Sequence, residues 1–493
     1  MGIHWPILKT LTLNPRQTFV TDDRRSWRGA ELLIASMHIA AEIERTSESK
    51  QVGIMLPMSG AFPAVALGAW MLGRTIVPLN FLLRPGELQH VVNDCETDVI
   101  VTARPMIEHL DKPPKAKRTV FLEDINFKSM PDLRWPARPK PDDLAALIYT
   151  SGTSGLPKGV MLSHHNLRSN IRQFCQHIHL SKDDVMCGVI PPFHSFGLTV
   201  LTLAPLVVGF GLVCQPRFVP HRMVRLIRDE KPTIFVAIPS MYAAINRVKD
   251  GHERDMRSLR LVVSGGEPLP TSVADAFKQR FGKEICQGYG LSEMSPVTHF
   301  STPEDGLAGT VGTALPDVTT RIVDIDRGVD LPVGGEGEIR LDGPNKMRGY
   351  FKMPEQTAAA FDERGHLRTG DIGRIDGKGR LAITGRLKEM MIVSGENVFP
   401  REIEEILERD PGVHACGVVG SPDDMRGEVP IAFVEMAEGF EFDESALRSL
   451  CREHLASHKV PRDIRVIDEM PRNPTGKVLR RELKQMLGAT SSV

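Results

Sequence analysis

Several features that mark specialised classes of protein are missing from this sequence. Its 493 residues include only seven cysteines, and none forms a Cys-x-x-Cys pair or stands at a zinc-like spacing from histidine. This pattern favours reduced thiols in a cytoplasmic protein. Charge of one sign is also missing, because 61 Lys and Arg face 62 Asp and Glu for a net charge of −1. No global basic field is therefore available to hold nucleic acid or an acidic membrane surface.

Signal peptides and membrane spans are equally hard to find. The first residues have no basic stretch followed by an apolar core, which argues against a signal peptide. Residues 197–214 are uncharged and approach the length of a membrane span, but Pro205 and the Gly209-Phe-Gly turn would break a spanning helix. We interpret them as a buried helix over about 198–208, a tight turn and a short core strand, and we predict no integral membrane segment.

The composition is that of an ordinary globular protein, with 41 % hydrophobic and 25 % charged residues. The length predicts about two to four domains. Helical stretches alternate with continuous apolar runs, such as Ile234-Phe-Val-Ala-Ile and Leu261-Val-Val-Ser, which is typical of βαβ units around a buried parallel sheet. Residues 111–143 are rich in Pro and Lys, and we interpret them as a surface connection.

The pattern changes after about Gly306, where short alternating segments with Gly-rich turns predict a small, barrel-like antiparallel subdomain. Beyond Gly385, a helix starting at Pro400 and two apolar strands predict a compact α+β unit. The expected fold class is therefore α/β. A large N-terminal domain over 1–385, made of stacked βαβ-type sheets and the β subdomain, precedes a small mobile α+β domain over 386–493.

The most informative stretch is the loop that follows the apolar strand ending near Tyr149. Four hydroxyl side chains, three glycines and one lysine lie between Thr150 and Gly159. Glycines let backbone N–H groups approach an anion, while hydroxyls and a lysine contact its oxygens. Pro157 excludes a Walker A loop, and a flexible Ser/Gly linker would not explain Pro-Lys-Gly. The predicted phosphate-binding residues are Thr150, Ser151, Gly152, Thr153, Ser154, Gly155 and Lys158.

This loop resembles the signature of the adenylate-forming superfamily, which includes acyl-CoA synthetases, luciferases and the adenylation domains of peptide synthetases. Four further segments match that family in the same order. Residues 287–293 are similar to its second nucleotide motif, 367–371 to its ribose motif, 385–389 to its hinge and 473–477 to its catalytic lysine motif. The resemblance covers about residues 145–484 and implies the use of ATP, Mg²⁺ and CoA.

The nucleotide motifs also have a chemical reading. Glu293 follows a glycine-bearing turn and offers the oxygen ligands that Mg²⁺ prefers, and the resemblance adds Thr150 as a second, weaker ligand. Asp371 lies in a Thr-Gly-Asp turn, where its carboxylate can accept hydrogen bonds from both ribose hydroxyls. The resemblance implies that Arg386 lies beside Asp371 at the ribose. The remaining predicted nucleotide contacts are Gly265, Gly266, Glu267, Gln287, Gly288, Tyr289, Gly290 and Ser292.

Two lysines are expected to act from the small domain. A lysine such as Lys477, in a turn before a basic helix, is ordinarily a solvated surface charge. The resemblance implies that it reaches the carboxylate and the α-phosphate, where a cation is needed between two anions in the transition state. Lys388 matches the family's hinge, about which the small domain is expected to pivot between an adenylating and a thioester-forming pose.

The acid substrate is indicated by two positions. Pro192-Phe-His-Ser-Phe-Gly197 resembles the family's histidine motif at the acid-binding mouth, with His194 as the expected member. Amino-acid-activating relatives carry an Asp in this region, so its absence argues against an amino acid. Acetate-activating relatives place a Trp where this chain has Gly290, and the missing side chain predicts a deeper pocket. A medium or long-chain fatty acid is the first expectation and an aryl acid the second.

The acceptor is expected to be CoA. The loop Val393-Ser-Gly-Glu-Asn-Val398 resembles the thioester-half segment of acyl-CoA synthetases, where Gly395 would let pantetheine pass. We expect no appended carrier domain after the small domain and no extra insertion before it. We therefore expect a cytoplasmic acid–thiol ligase, with a monomer or a homodimer left open. The rivals are an aryl-acid ligase, a carrier-protein ligase and a catalytically silent nucleotide-binding homologue. A silent homologue is expected to lack Lys477, Glu293 or Asp371, and all three are present.

Overall fold

Four β-sheets organise the chain in a computed structural model that describes residues 1–151, 156–305, 309–472 and 478–489. The largest sheet has nine strands, of which the six central ones are parallel. In spatial order these are β15 (Thr313–Ala314), β14 (Val297–Phe300), β13 (Ile285–Gly290), β12 (Leu261–Gly265), β11 (Ile234–Ala237), β9 (Val185–Gly188), β10 (Gly211–Cys214), β1 (Thr18–Thr21) and β2 (Ser26–Arg28).

The second sheet has six strands and is parallel except for the final β7–β8 hairpin. Its order is β6 (Arg118–Phe121), β5 (Val99–Thr102), β3 (Gln51–Met55), β4 (Thr75–Pro78), β7 (Leu144–Ser151) and β8 (Pro157–Ser163). One continuous core of buried apolar residues joins this sheet to the first. The parallel sheets predicted from the apolar runs are confirmed.

Two smaller antiparallel sheets complete the chain. The third sheet is β16 (Thr319–Val323), β17 (Gly337–Asp342), β18 (Leu367–Ile375) and β19 (Leu381–Arg386). The fourth contains β20 (Met391–Val393), β21 (Glu396–Val398), β22 (Val413–Asp423), β23 (Gly427–Met436) and β24 (Asp463–Val466), the last parallel to β23. A single 3₁₀ turn, Leu387–Glu389, connects them.

α-Helices lie between many of the strands in the described part of the chain. They are α1 (His4–Leu13), α2 (Gly29–Thr46), α3 (Ala61–Met71), α4 (Pro85–Asp94), α5 (Arg104–Glu108), α6 (His164–His177), α7 (Ala204–Val208), α8 (Pro220–Glu230), α9 (Pro239–Asn246), α10 (Thr271–Phe281), α11 (Pro354–Ala359), α12 (Pro400–Leu407), α13 (Glu444–His454) and α14 (Arg480–Ala489). Seven of them have proline at their first or second position, where its fixed φ and missing N–H are tolerated.

The uncharged segment behaves as predicted. Gly197–Leu203 forms a buried π-helical turn that continues into α7, and Gly209 ends the helix before β10. Among the described residues, no helix combines the length and the apolar character that crossing a membrane requires.

The surface connection predicted over 111–143 is wrong in one part. Arg118–Phe121 forms β6, a parallel strand at the edge of the second sheet. Only Val120 of this strand is buried, because an edge strand pairs on one side. Its sequence therefore contains no apolar run that would distinguish it from the Lys- and Pro-rich residues around it. The rest of the segment lies on the surface, where the side chain of Trp135 is 87 % exposed.

Candidate active site

The third and fourth sheets and the carboxyl ends of two parallel strands enclose a crevice of about 650 Å³. The carboxyl ends of parallel strands are where α/β proteins ordinarily build their sites. Eight of the predicted nucleotide residues line this crevice: Gly266, Glu267, Gln287, Gly288, Tyr289, Gly290, Asp371 and Arg386. Residues far apart in the sequence are thus brought to one place.

Asp371 is a buried charged group of the crevice with two side-chain partners. It lies on β18 opposite Arg386 on β19, and the Arg386 Nε lies 2.9 Å from its Oδ1. The Tyr289 hydroxyl donates to its Oδ2 at 2.7 Å. Burial first, and then Asp371, raise the pKa of Tyr289, while Asp371 raises the pKa of Arg386. These two contacts hold the buried carboxylate in one orientation at the crevice wall.

Gly290 corrects the prediction of a deeper pocket. A Cβ added to it would lie 2.0 Å from the Pro296 carbonyl oxygen and 3.1 Å from the Val297 Cα. The backbone of Pro296, just before β14, therefore occupies the space into which a side chain would project, and Leu291 N–H donates to the same carbonyl. Gly290 is required by close backbone approach, which the sequence alone does not distinguish from an open tunnel.

Glu293 lies beside the hairpin that carries the predicted phosphate loop. The Tyr350 hydroxyl donates to Glu293 Oε1 at 2.9 Å, and the Lys158 Nζ lies 5.6 Å from the centre of the Tyr350 ring. Thr150 and Lys158 are partners across the β7–β8 hairpin, and Ser151 ends β7. The predicted loop residues Gly152, Thr153, Ser154 and Gly155 lie outside the described residues.

The predicted acid-binding side is apolar and tightly packed. The Phe196 ring lies about 3.2 Å from the position that a Cβ on Gly265 would take. Burial lowers the pKa of His194, whose Nδ1 accepts a hydrogen bond from the Phe196 N–H. The buried hydroxyls of Ser195 and Ser292 are 2.9 Å apart, so the histidine motif contacts the second nucleotide motif directly.

The small domain places its predicted residues at separate positions. Lys388 is exposed in the 3₁₀ turn between the third and fourth sheets. Gly395 has a φ of 85° and forms an exposed hairpin tip between β20 and β21, away from the crevice lining. Lys477 lies outside the described residues.

Four charged or polar residues of the site were missed by sequence reasoning. Tyr350 orients Glu293, while Glu389, Glu404 and Arg480 form an ion-pair cluster at the crevice wall. Each acts through a partner on another element, and no local motif records such a pairing. The sequence offered one signal. Glu404 is an acidic residue on the side of α12 that otherwise buries Ile403, Ile406 and Leu407.

Comparison with protein families agrees with this geometry. Residues 9–351 match the family described as AMP-binding enzyme. Residues 402–477 match the family described as AMP-binding enzyme C-terminal domain. The first match alone covers more than half of the chain.

Similar proteins of known activity extend over nearly the whole chain. The chain is 32 % identical to 4-coumarate–CoA ligase 3 of Oryza sativa subsp. japonica, covering 94 % of this chain and 88 % of that protein. It is 31 % identical to feruloyl-CoA synthase of an Amycolatopsis species, covering 98 % of each. It is 30 % identical to a long-chain-fatty-acid–CoA ligase of Bacillus subtilis strain 168, covering 92 % of this chain and 89 % of that protein.

Similar solved structures include two states of one protein. ATP-bound MatB from Rhodopseudomonas palustris is 28 % identical, with a TM-score of 0.89 and 99 % of each chain covered. Apo MatB, at 27 % identity and the same coverage, has a TM-score of 0.81. The anthranilate CoA ligase AuaEII in complex with anthranoyl-AMP is 27 % identical, with a TM-score of 0.90 and 99 % and 98 % coverage. The arrangement of this chain agrees better with the ATP-bound than with the apo form of MatB.

Proposed function

The chain belongs to the family of AMP-binding enzymes, among its acyl- and aryl-CoA ligases, and from that premise we propose that it joins an apolar carboxylic acid to CoA through an acyl-adenylate. One observation carries this proposal. The crevice is lined by Asp371 and Tyr289 from the large domain and by Glu404 and Arg480 from the small one. A site shared in this way suits a reaction in which the small domain takes part.

The reaction has two steps. A carboxylate oxygen of the acid attacks the α-phosphorus of ATP, and pyrophosphate leaves with the bonding electron pair. The CoA thiolate then attacks the acyl carbon, the bond from that carbon to the phosphate oxygen breaks, and AMP leaves. We assign Asp371 to the two ribose hydroxyls, with Arg386 holding the carboxylate in place. We assign Lys477 to the charge that develops between the two anions in the first step.

Magnesium is part of this proposal. Among the described residues, no group of three or more His, Cys, Asp and Glu side chains is suited to a metal ion. An ion bound chiefly by phosphates needs only one or two protein oxygens, and Glu293 with Thr150 fits that requirement. The Tyr350 hydroxyl donates to Glu293 Oε1 and so orients the carboxylate, and we assign the other carboxylate oxygen to the ion. Mg²⁺, when bound, would neutralise charge on the phosphates.

For the acid, we propose an aryl acid first and a medium or long-chain fatty acid second. The space proposed for a long tail at Gly290 is filled by backbone, which removes the reason for preferring a long chain. Aromatic rings lie around the histidine motif, where Phe81 and Phe193 pack edge to face at 5.1 Å and the Phe196 ring lies close to Gly265, and we assign the acid to this side. Edge-to-face packing suits a flat ring. The similarity to a fatty-acid ligase keeps the second candidate under test.

A basic groove on the small domain supports CoA as the acceptor. It has a volume of about 440 Å³ and includes four arginines, Arg426, Arg448, Arg452 and Arg462. Arg426 O accepts a hydrogen bond from Ser394 N–H, so the groove adjoins the Gly395 hairpin. CoA carries several phosphates, and arginine binds phosphate with two donors at once.

A pyrophosphate-release screen tests the proposal. Acids from acetate to palmitate, together with benzoates and cinnamates, are supplied with ATP and Mg²⁺, with and without CoA. We expect sustained turnover only with CoA and highest kcat/KM for an aryl acid. Phe196→Ala should shift the preference toward bulkier acids. A maximum at palmitate would select the fatty acid, and the absence of pyrophosphate release with every acid would contradict the proposed function.

A further inference from the structure

A side-chain hydrogen bond joins the large domain to the small domain away from the hinge. Arg247 directly follows α9 of the large domain, and its Nη2 lies 2.7 Å from the Nδ1 of His414, on β22 of the small domain. Both residues line the crevice. Neither belongs to β19 or to the 3₁₀ turn that leads into the small domain, and neither has a place in the reaction proposed above.

The chemistry of the two side chains fixes the protonation state of His414. A guanidinium only donates hydrogen bonds, so the Nδ1 that faces Arg247 must be the unprotonated nitrogen of the ring. The ring proton then lies on Nε2, which is 3.5 Å from the Oε1 of Glu435 on β23. Burial first, and then Arg247, lower the pKa of His414 from 6.5, Glu435 raises it and Arg472 lowers it further. His414 is therefore neutral at pH 7, and it accepts from Arg247 only in that form.

Glu435 continues this chain of contacts to the segment that carries the predicted catalytic lysine. Its Oε2 accepts a hydrogen bond from Met470 N–H at 2.8 Å, and Arg472 follows two residues later. Arg472 and Val478 bridge to each other across 473–477, and both line the crevice. The described residues on either side of the catalytic segment thus lie at the nucleotide crevice, whereas the hairpin assigned to pantetheine lies away from it. The first step of the proposed reaction needs this arrangement.

We propose that Arg247 is a positioning residue, which binds neutral His414 and thereby holds the small domain with its catalytic lysine segment at the nucleotide. The inference rests on the proposed function and deepens it. Arg247 and His414 belong to the two bodies that the pivot at Lys388 connects, so a rotation of the small domain separates them. A contact made in one pose and lost in the other shifts the population toward the first pose, by no more than the free energy of that contact.

Acid should release this contact. A proton on His414 Nδ1 removes the acceptor and places a second cation beside the Arg247 guanidinium, where Arg472 adds to the repulsion and Glu435 opposes it. The contact is therefore complete at pH 7 and is lost as the pH falls through the lowered pKa of His414, below 6.5. Asparagine at position 414 would offer an acceptor oxygen in place of Nδ1 without titrating, and phenylalanine would offer none.

The experiment measures the two half-reactions separately in wild type, Arg247→Met, Arg247→Lys and the control Arg257→Met, which changes an exposed arginine of the large domain. Adenylate formation is followed by pyrophosphate release without CoA, and thioester formation by CoA transfer from acyl-adenylate supplied ready-made. We expect Arg247→Met to slow adenylation at pH 7 by about two- to fivefold, the scale of one exposed contact to a charged group, with CoA transfer unchanged or faster. Arg247→Lys should recover part of the loss, and Arg257→Met should show none.

The pH profile and a double-mutant cycle isolate the pair. Between about pH 5 and 8, the advantage of wild type over Arg247→Met in adenylation should shrink as the pH falls below 6.5. His414→Asn should keep its rate of adenylation to a lower pH than wild type does. The double variant Arg247→Met/His414→Phe should be no slower than either single variant, because each substitution removes the same contact.

Hydrogen exchange on the substrate-free protein tests the pair without catalysis. At pH 7, peptides that contain Arg247 and Met470 should exchange faster in Arg247→Met than in wild type, because the chain of contacts from Arg247 to the Met470 N–H is broken. Identical exchange in both peptides would show that Arg247 does not hold the small domain. A melting curve for each variant shows whether a change comes from unfolding.

Equal losses in both half-reactions, no loss in adenylation, a difference from Arg247→Met that does not depend on pH, or additive losses in the cycle would each overturn the positioning role of Arg247. Failure of the proposed function is a different result. Wild type itself would then form no adenylate with any acid, while hydrogen exchange would still show whether Arg247 and His414 hold the two domains together.

Discussion

The two ends of the nine-stranded sheet differ in what their side chains do. At the amino ends of β9, β11 and β12, Asp184, Thr233 and Arg260 form a closed group. Arg260 donates to both oxygens of Asp184 at 2.7 and 2.8 Å, and the Thr233 hydroxyl donates to Oδ1 at 2.7 Å. These bonds satisfy one another, so they stabilise the ends of three strands.

At the carboxyl ends of β12 and β13, the chain behaves differently. Glycines follow the strands there, backbone approaches backbone closely, and the side chains line a crevice of about 650 Å³. The polar groups have partners on another sheet, as in the pair of Tyr289 and Asp371. We conclude that substitutions at the amino ends should change stability alone, while those facing the crevice should change activity. Five predictions test that division, from the largest expected effect to the smallest.

Lys477→Ala should lower the rate of adenylate formation by about 10²–10³-fold, or roughly 3–4 kcal/mol, the usual scale for losing one transition-state charge donor. CoA transfer from ready-made acyl-adenylate should be spared, because that step separates the acyl group from the phosphate. The matched control is Lys484→Ala, at an exposed position of α14. Equal losses in both half-reactions would remove Lys477 from the role given to it.

Asp371→Asn should raise the KM for ATP and slow adenylation, and the combined loss in kcat/KM should be about 10–100-fold. Hydrogen bonds to a charged group are each worth about 1.5–3 kcal/mol. The melting temperature should change little, because Arg386 remains partly open to solvent. ATP–pyrophosphate exchange measures the first effect and calorimetry the second. A variant that melts early but binds ATP normally would place Asp371 with the stabilising residues.

Asp184→Asn should cost about 1–3 kcal/mol of unfolding free energy and leave kcat unchanged, because a charge-assisted group is lost far from the crevice. Burial alone would raise the pKa of Asp184, but hydrogen bonds from Arg260, Ser181 N–H and Thr233 outweigh it and lower the pKa from 3.8 to about 2. This stability is fully present above pH 3.8 and is lost as the pH falls through about 2.

Acid unfolding of wild type, Asp184→Asn and the exposed neighbour Asp183→Asn measures that contribution. The difference in stability between wild type and Asp184→Asn should shrink as the pH falls below 3.8, and Asp183→Asn should follow wild type. A difference that stayed constant down to pH 2 would show that the carboxylate charge of Asp184 is not what stabilises the strand ends.

Gly290→Ala should be an exception to this division, because Gly290 lines the crevice and yet its substitution should lower stability. Its new Cβ would meet the Pro296 carbonyl, and such overpacking costs about 1–3 kcal/mol. Activity toward all acids should fall in the same proportion, without a shift in chain-length preference. Gly377→Ala, where no atom lies within 4 Å of the added Cβ, is the control. A preference that moved to short acids would restore the tunnel interpretation.

Lys388→Pro should change the rate of adenylation less than the other substitutions do, and it should slow thioester formation about tenfold. Proline fixes φ near −65° and therefore restricts rotation at the hinge. Lys388→Ala removes the same charge with the backbone left free, and it should retain both half-reactions. If the alanine variant lost thioester formation to the same extent, the side chain rather than a pivot would explain the result.

Much of the fold follows from local patterns in the sequence. The apolar run at Ile234–Ala237 is buried along its whole length as a central parallel strand, and the proline at position 400 starts α12 as predicted. Such features depend on neighbouring residues alone. The strand Arg118–Phe121 was missed because three of its four side chains remain at least partly exposed at a sheet edge, so no apolar run marks it.

The candidate site divides in the same way. Short segments with a carboxylate predicted Glu293 and Asp371, and the family resemblance added Arg386, since each lies in a short recognisable segment. Tyr350 and the pair of Arg480 with Glu389 were missed, because their partners are 57 and 91 residues away in the sequence. The reason for Gly290 was also missed, because glycine is expected both where a pocket is open and where another backbone segment comes close.

A burst-and-chase experiment on the wild-type enzyme tests the two-step account most directly. Enzyme, ATP, Mg²⁺ and the best acid are mixed without CoA, pyrophosphate is counted against active sites, and CoA is then added together with excess unlabelled acid. We predict about one pyrophosphate per site in the burst, with labelled acyl-adenylate retained until CoA converts it to acyl-CoA and AMP. Release of ADP and phosphate, or pyrophosphate that forms only after CoA is added, would contradict the account.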